Sequence, residues 1–179
     1  FQNIDVNTIN VLDTQKKGAN PDILLAFAKE KVNDRKIWLS KYNPENILQI
    51  EPSTTITIKE FIHQELIHFS NYDNLRSIPL LADGLKPSQR KVLYACFKRK
   101  LYSNELKVAQ LAGNVSEITA YHHGENSLQE AIIGMAQIFV GTNNINLLVP
   151  NGQFGTRIQG GEDASPPRYI YTCLSKLTK

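Results

Sequence analysis

Glu105-Leu-Lys-Val-Ala-Gln-Leu-Ala-Gly-Asn-Val-Ser-Glu-Ile-Thr-Ala-Tyr-His-His-Gly-Glu125, running on to Val140, carries the strongest fold signal in the chain. Glu105 to Ala112 predicts a helix, Gly113-Asn114 a turn, and Val115 to Ala120 a second short helix. A further helix is expected from about Ser127 to Val140. Ser127 and Glu130 have capping-box spacing, and Leu128, Ile132, Met135 and Phe139 make its apolar stripe. Short helices around a tight turn in a basic setting form a helix–turn–helix outline.

Beyond this segment, Leu147 to Val149 reads as a strand and the turn-rich 150–161 as a wing. Pro166-Pro167 precedes a last helix expected from about Arg168. On the other side, Pro87 suits the first turn of a helix, where its missing N–H is no loss. Val92, Leu93, Cys96, Phe97 and Leu101 cover one face of that helix, and Lys91, Tyr94 and Lys98 the other. Upstream, Thr54 to Ile58 is a β-branched strand and Lys59 to Ser70 a helix. Tyr42 to Ser53 is a connector holding Pro44 and Pro52. Asp22 to Lys41 reads as one helix capped by Asp22, and residues 1–21 are polar and without period.

The 179 residues leave room for one good core and a satellite segment, and 41% hydrophobic content favours a globular chain. The net charge of +3 conceals an asymmetry. Residues 1–75 hold 8 basic and 10 acidic side chains; residues 76–179 hold 12 and 7. A polyanion would therefore bind the C-terminal part. Ala131 to Val140, the most apolar run, is too short to span a bilayer, so no membrane partner is expected. Phe1 to Asp5 opens no signal peptide. Cys96 and Cys173 sit in no CxxC, which argues against structural zinc or a disulfide scaffold. The chain starts on Phe and stops at Lys179 inside an expected helix, so it reads as a piece of a longer protein.

Four motifs carry chemistry. Arg76, Lys86, Arg90 and Lys91 fall within 16 positions; they are either a solvated basic face or a phosphate-binding surface. Lys86 stands at a helix N-terminus, where backbone N–H groups also favour a phosphate. His122-His123 could ligate metal, donate to an oxyanion, or serve as structural histidines at a helix entry. Asn151 to Gly161 is dense in glycine but lacks the order of a phosphate loop, so a turn or wing fits better. Arg168-Tyr169 is either a packing pair or a nucleophile beside a cation, since a neighbouring positive charge favours a phenolate.

Several segments in one order resemble eukaryotic topoisomerase II, a type IIA DNA topoisomerase family. They are Glu65-Leu-Ile-His-Phe-Ser70, Asp73-Asn-Leu-Arg-Ser-Ile-Pro79, Asp83-Gly-Leu-Lys-Pro-Ser-Gln-Arg-Lys-Val-Leu-Tyr94, Glu105 to Ala112, Thr119-Ala-Tyr-His-His-Gly-Glu125 and Arg168-Tyr-Ile-Tyr-Thr172. Phe27 and Asp34-Arg-Lys-Ile-Trp-Leu39 resemble the family upstream of its DNA gate. The resemblance implies an α+β, mainly helical fold: a winged-helix domain, helix–turn–helix with a β wing, preceded by a helical linker segment. It implies a division into 1–53, the end of a Toprim-containing half, and 54–179, the DNA-binding and cleavage domain, stopping before a tower and coiled coil.

It also implies roles. Tyr169 matches the family's nucleophile, Arg168 its catalytic arginine and His123 the histidine near the scissile phosphate. His122, Arg76, Lys86, Arg90 and Lys91 match residues that bind DNA. Pro166-Pro167 departs from the family's more usual Ala or single Pro. The implied activity is ATP-dependent passage of one duplex through a transient double-strand break, by way of a 5′-phosphotyrosyl link, in a nuclear homodimer. Mg²⁺ and ATP would be bound outside this chain, and the fragment alone would bind double-stranded DNA without completing the reaction. The competing reading is a non-enzymatic winged-helix DNA binder. It explains the basic half but not the Arg168-Tyr169 pair.

Overall fold

The computed structural model describes residues 10–12, 20–49, 55–143 and 145–178. Most of the polar stretch 1–21, with Thr54 and Lys179, lies outside them. The chain divides into two compact units, Phe1–Ile78 and Pro79–Lys179.

In the first unit, strand β1 (Asn10–Leu12) pairs in parallel with β2 (Thr55–Thr57), Val11 opposite Ile56. Between them stand α1 (Pro21–Phe27) and α2 (Val32–Ser40), separated by a single 3₁₀ turn, Lys29–Lys31. The single helix expected over 22–41 is thus broken. Ala28 is extended (φ −68°, ψ 136°). Arg35 Nη1 stabilises the break by donating to the carbonyls of Leu25 (3.1 Å) and Ala28 (2.6 Å). The cap of α1 is Asn20, not Asp22: the Asn20 side chain accepts the N–H of Asp22 at 3.0 Å, and Pro21 fills the first turn.

After β2 the chain forms α3 (Ile58–Glu60), a π-helical segment Phe61–Leu66 and α4 (Ile67–Ser77), one turn and more beyond the expected end at Ser70. Thr57 and Glu60 make a reciprocal capping box at its start. The π segment carries His63 to Trp38, whose Nε1 donates to His63 Nδ1 at 3.1 Å. His63 Nε2 therefore carries the proton and donates to Asp22 Oδ1 at 2.9 Å. These bonds, with the buried cluster Trp38, Ile62 and Ile67, join 55–78 to the first unit, although the sequence reading starts the second domain at 54.

The second unit runs α5 (Pro87–Lys98), β3 (Leu106–Lys107), α6 (Val108–Thr119), α7 (Glu125–Ala136) and β4 (Tyr171–Thr172). The turn expected at Gly113-Asn114 does not form. Val108, Leu111, Ala112 and Val115 recur at helical spacing and are all buried, so α6 continues through the glycine. The turn of the helix–turn–helix is Ala120–Gly124 instead. Ala120 ends α6 in the left-handed region (φ 48°). Helix α7 starts at Glu125 behind Gly124 and ends at Ala136, so Ser127 and Glu130 form no capping box and Phe139 lies past the helix.

The helix expected from Arg168 is also absent. Ile170 is 1% exposed, Tyr171 38% and Thr172 buried completely, so Ile170 and Tyr171 face opposite ways, as on a strand. β4 pairs antiparallel with β3, Lys107 opposite Tyr171 and Leu106 opposite Thr172. On its other side Asn151 bridges Tyr171 and Leu148 bridges Leu174. The region 147–149 thus supplies the expected strand edge, with the wing between it and β4. Leu128, Ile132, Leu148, Ile170 and Leu174 share one buried core with the three helices. Cys96 is part of it. Burial, with Cys173 adding to it, pushes its thiol from 9.0 up to about 12, so it stays a neutral packing group.

The wing closes on itself. The N–H of Gly161 donates to Thr156 O at 2.9 Å, and Asp163 Oδ1 accepts the N–H of Thr156 at 2.7 Å. That bond to Thr156 holds the Asp163 carboxyl below the usual carboxylate range. Gly155 has φ +99°, and a Cβ there would lie 2.6 Å from Gly161 Cα. Gly155→Ala is expected to cost about 2–4 kcal/mol, left-handed strain plus a backbone clash that no side-chain rotation relieves. The midpoint of a urea titration reads it. An unchanged midpoint would mean the wing opens at no cost.

Candidate active site

Three pieces of the second unit present most of the sequence-predicted residues: the loop before α5, the helix–turn–helix turn, and the turn before β4. The last is built around the two prolines. Pro166 O accepts the N–H of Tyr169 at 2.9 Å, closing the turn. Pro167 O and Ile170 O accept the N–H groups of Ala109 and Val108 at 3.1 and 3.0 Å, so the turn is docked on the first residues of α6. Ile170 enters the core and Tyr169 stands out, 63% exposed. The Arg168 guanidinium lies over the Tyr169 ring, 4.9 Å from its centroid. Tyr169 thus stands on a turn tied to α6, with an apolar anchor behind it and a guanidinium on its face.

The helix–turn–helix turn holds both histidines. Their rings lie 4.5 Å apart, tilted by 35°, and Tyr121 meets His123 edge-on at 5.3 Å. Lys91 Nζ stands 5.7 Å from the centroid of the Tyr121 ring, which joins α5 to this turn. His122 is exposed and His123 half-buried on the same turn, one beside the other. This stacking orients the imidazoles before any ligand arrives.

The loop before α5 shows what sequence reading missed. Arg90, a predicted DNA contact, already has an anion. Its Nε donates to Asp83 Oδ2 at 2.9 Å and its Nη2 to Asp83 Oδ1 at 3.0 Å. Asp83 Oδ1 also accepts the N–H of Leu85 at 2.9 Å. That backbone bond, with the guanidinium, holds the Asp83 carboxyl below the usual carboxylate range. Leu80 N–H donates to Leu85 O and Gly84 N–H to Leu80 O, at 3.1 and 2.8 Å, which tie the loop to itself. Lys86, at the N-cap of α5, is presented by it; Gln89 Oε1 accepts its backbone N–H at 2.8 Å. The seven-residue separation of Asp83 and Arg90 was the available signal. Arg76 belongs to the first unit, in the last turn of α4.

Among the described residues, no three His, Cys, Asp or Glu side chains could hold a metal ion. The donor set around Tyr169 is cationic and aromatic, so these residues do not fit a divalent-metal site. No helix among the described residues is long and apolar enough to cross a membrane.

Residues 76–179 match the family model of DNA gyrase/topoisomerase IV (the A subunit), while residues 1–74 match that of the C-terminal associated domain of TOPRIM. Saccharomyces cerevisiae DNA topoisomerase 2 is 56% identical over all of this chain, which spans 12% of that protein. Homo sapiens DNA topoisomerase 2-alpha is 54% identical over 88% of this chain and 11% of its own length. The crystal structure of the Plasmodium falciparum topoisomerase II DNA-binding, cleavage and re-ligation domain superposes with a TM-score of 0.71. It is 52% identical and covers 88% of this chain and 21% of that one.

Proposed function

We propose that this chain, which belongs to the DNA gyrase/topoisomerase IV family, is the DNA-cleaving and religating part of a type IIA topoisomerase. The observation that carries the reading is the Arg168–Tyr169 pair. It is exposed on a turn anchored to α6, on the same unit as a helix–turn–helix and a wing. A plain DNA-binding winged helix has no use for such a pair.

The phenolic oxygen of Tyr169 attacks a backbone phosphorus in line. The bond to the ribose 3′ oxygen breaks, that oxygen leaves and takes up a proton, and a 5′-phosphotyrosyl ester forms. One phosphoester replaces another, so religation needs no outside energy. Arg168 and His123 donate to the phosphoryl oxygens as charge gathers there. Lys86, Lys91 and His122 bind neighbouring phosphates, and Arg76, on the first unit, binds a phosphate of its own. Arg90, already held by Asp83, orders the loop that presents Lys86. The first unit, through Ile78, ends a Toprim-containing half, and the second, from Pro79, belongs to the cleavage domain. Mg²⁺, which would assist the leaving oxygen, and ATP are held elsewhere in the protein. The whole acts on double-stranded DNA as a homodimer in the nucleus.

The test is a denaturing gel on end-labelled duplex DNA, with the full-length protein and Mg²⁺. A covalent adduct whose DNA end carries a 5′-linked tyrosine is expected. Tight binding with no adduct would instead support the simple DNA binder. For the binding surface, Lys86→Ala should lower the salt slope of duplex binding by roughly 0.9, one phosphate contact. An unchanged slope and affinity would remove Lys86 from it.

A further inference from the structure

We propose that Lys107, carried on the ring of Tyr171, is a further phosphate-binding cation that grips the cleaved DNA strand beside the scissile phosphate. This rests on the cleavage reading above and extends it to a residue not among those assigned a DNA contact.

The β ladder makes the site. Lys107 is directly opposite Tyr171 across the β3–β4 pair, so both side chains lie on one face. Ile170 turns into the core between Tyr169 and Tyr171, which leaves those two tyrosines on the outer side of the same segment. Tyr169, on the turn, precedes Tyr171, on the strand, by two residues, so the Lys107–Tyr171 pair is adjacent in the chain to the proposed nucleophile.

The charge on Lys107 is available. Its Nζ stands 5.9 Å from the centroid of the Tyr171 ring. Among the described residues it pairs with no carboxylate. An aromatic ring orients an ammonium without cancelling its charge. Arg90 shows the contrary case, neutralised by Asp83. The nearest acid along the strand, Glu105, is engaged by Asn151 Nδ2. Asn151 itself bridges the far side of Tyr171, so that residue is braced from both flanks. The first N–H groups of α6 are taken by Ile170 O and Pro167 O. A phosphate here would therefore be held by the lysine, not by the helix end.

The experiment uses the full-length protein in a Tyr169→Phe background, so that binding is read without cleavage. Duplex affinity is measured against salt for the background, Lys107→Ala, Lys107→Arg and Tyr171→Phe. Lys107→Ala should lower the slope by roughly 0.9, while Lys107→Arg and Tyr171→Phe, which keep the charge and the ring, should not. A neutral methylphosphonate is then placed one or two positions from the cleavage site. It should weaken the background protein and leave Lys107→Ala unaffected. An unchanged slope in a Lys107→Ala protein with native thermal stability would overturn the contact. Equal sensitivity of both proteins to the methylphosphonate would overturn its location. If the wild type forms no adduct, the cleavage reading fails on its own, and the salt slope still decides whether Lys107 binds phosphate.

Discussion

Tyr169→Phe is expected to remove covalent linkage to DNA and to leave folding and duplex binding intact. The substitution deletes one oxygen from a ring that is 63% exposed, so no buried contact is lost. The turn that presents the ring is held by backbone bonds to Pro166, Ala109 and Val108, none of which involve the phenol. What would disappear is the proposed nucleophile, and no cysteine would replace it, since Cys96 and Cys173 are both buried. Tyr171 is the rival. A helix over 168–172 would separate the two tyrosines by about 200° of rotation. In the fold Tyr169 sits on a turn and Tyr171 on a strand, both on the outside. Their settings distinguish them. Tyr169 lies on the turn under Arg168, whereas Tyr171 is paired on both sides, with Lys107 and Asn151. Tyr171→Phe should therefore keep the adduct. The measurement is adduct yield on end-labelled duplex by full-length wild type and both variants with Mg²⁺. Persistence in Tyr169→Phe with loss in Tyr171→Phe would reverse the assignment.

His123→Ala should slow cleavage by about 10²–10³, the usual cost of removing one donor to a developing oxyanion, with a far smaller loss of DNA affinity. The stacking of Tyr121, His122 and His123 supplies the alternative. A histidine that only props the helix–turn–helix turn would change stability and activity together. Single-turnover cleavage and thermal unfolding of the same variant separate the two. His123→Gln, which keeps a donor, should recover part of the rate. A stability loss that accounts for the whole rate loss in both variants would return His123 to a structural role.

Much of the fold, and the residues proposed for the site, were legible because the deciding information is local or nearly so. The apolar positions of α7 recur along one helix face, and Pro87 opens α5 as its ring dictates. Local reading failed where a distant partner decides. Gly113-Asn114 looks like a turn, yet Val108, Leu111, Ala112 and Val115 bury one continuous face and the helix runs through it. Arg168 to Thr172 has helical and extended possibilities alike. Only pairing with Leu106–Lys107, far earlier in the chain, makes Tyr171–Thr172 a strand and sets Lys107 opposite Tyr171. Arg90 reads as a free cation until the loop folds Asp83 against it. Residue type and short-range spacing settle which positions carry charge, nucleophile and helix-forming faces, since these are properties of side chains and their near neighbours. Which cations are already neutralised, and which backbone state Tyr169 occupies, depend on hydrogen bonds and ion pairs that exist only once folding brings distant partners together.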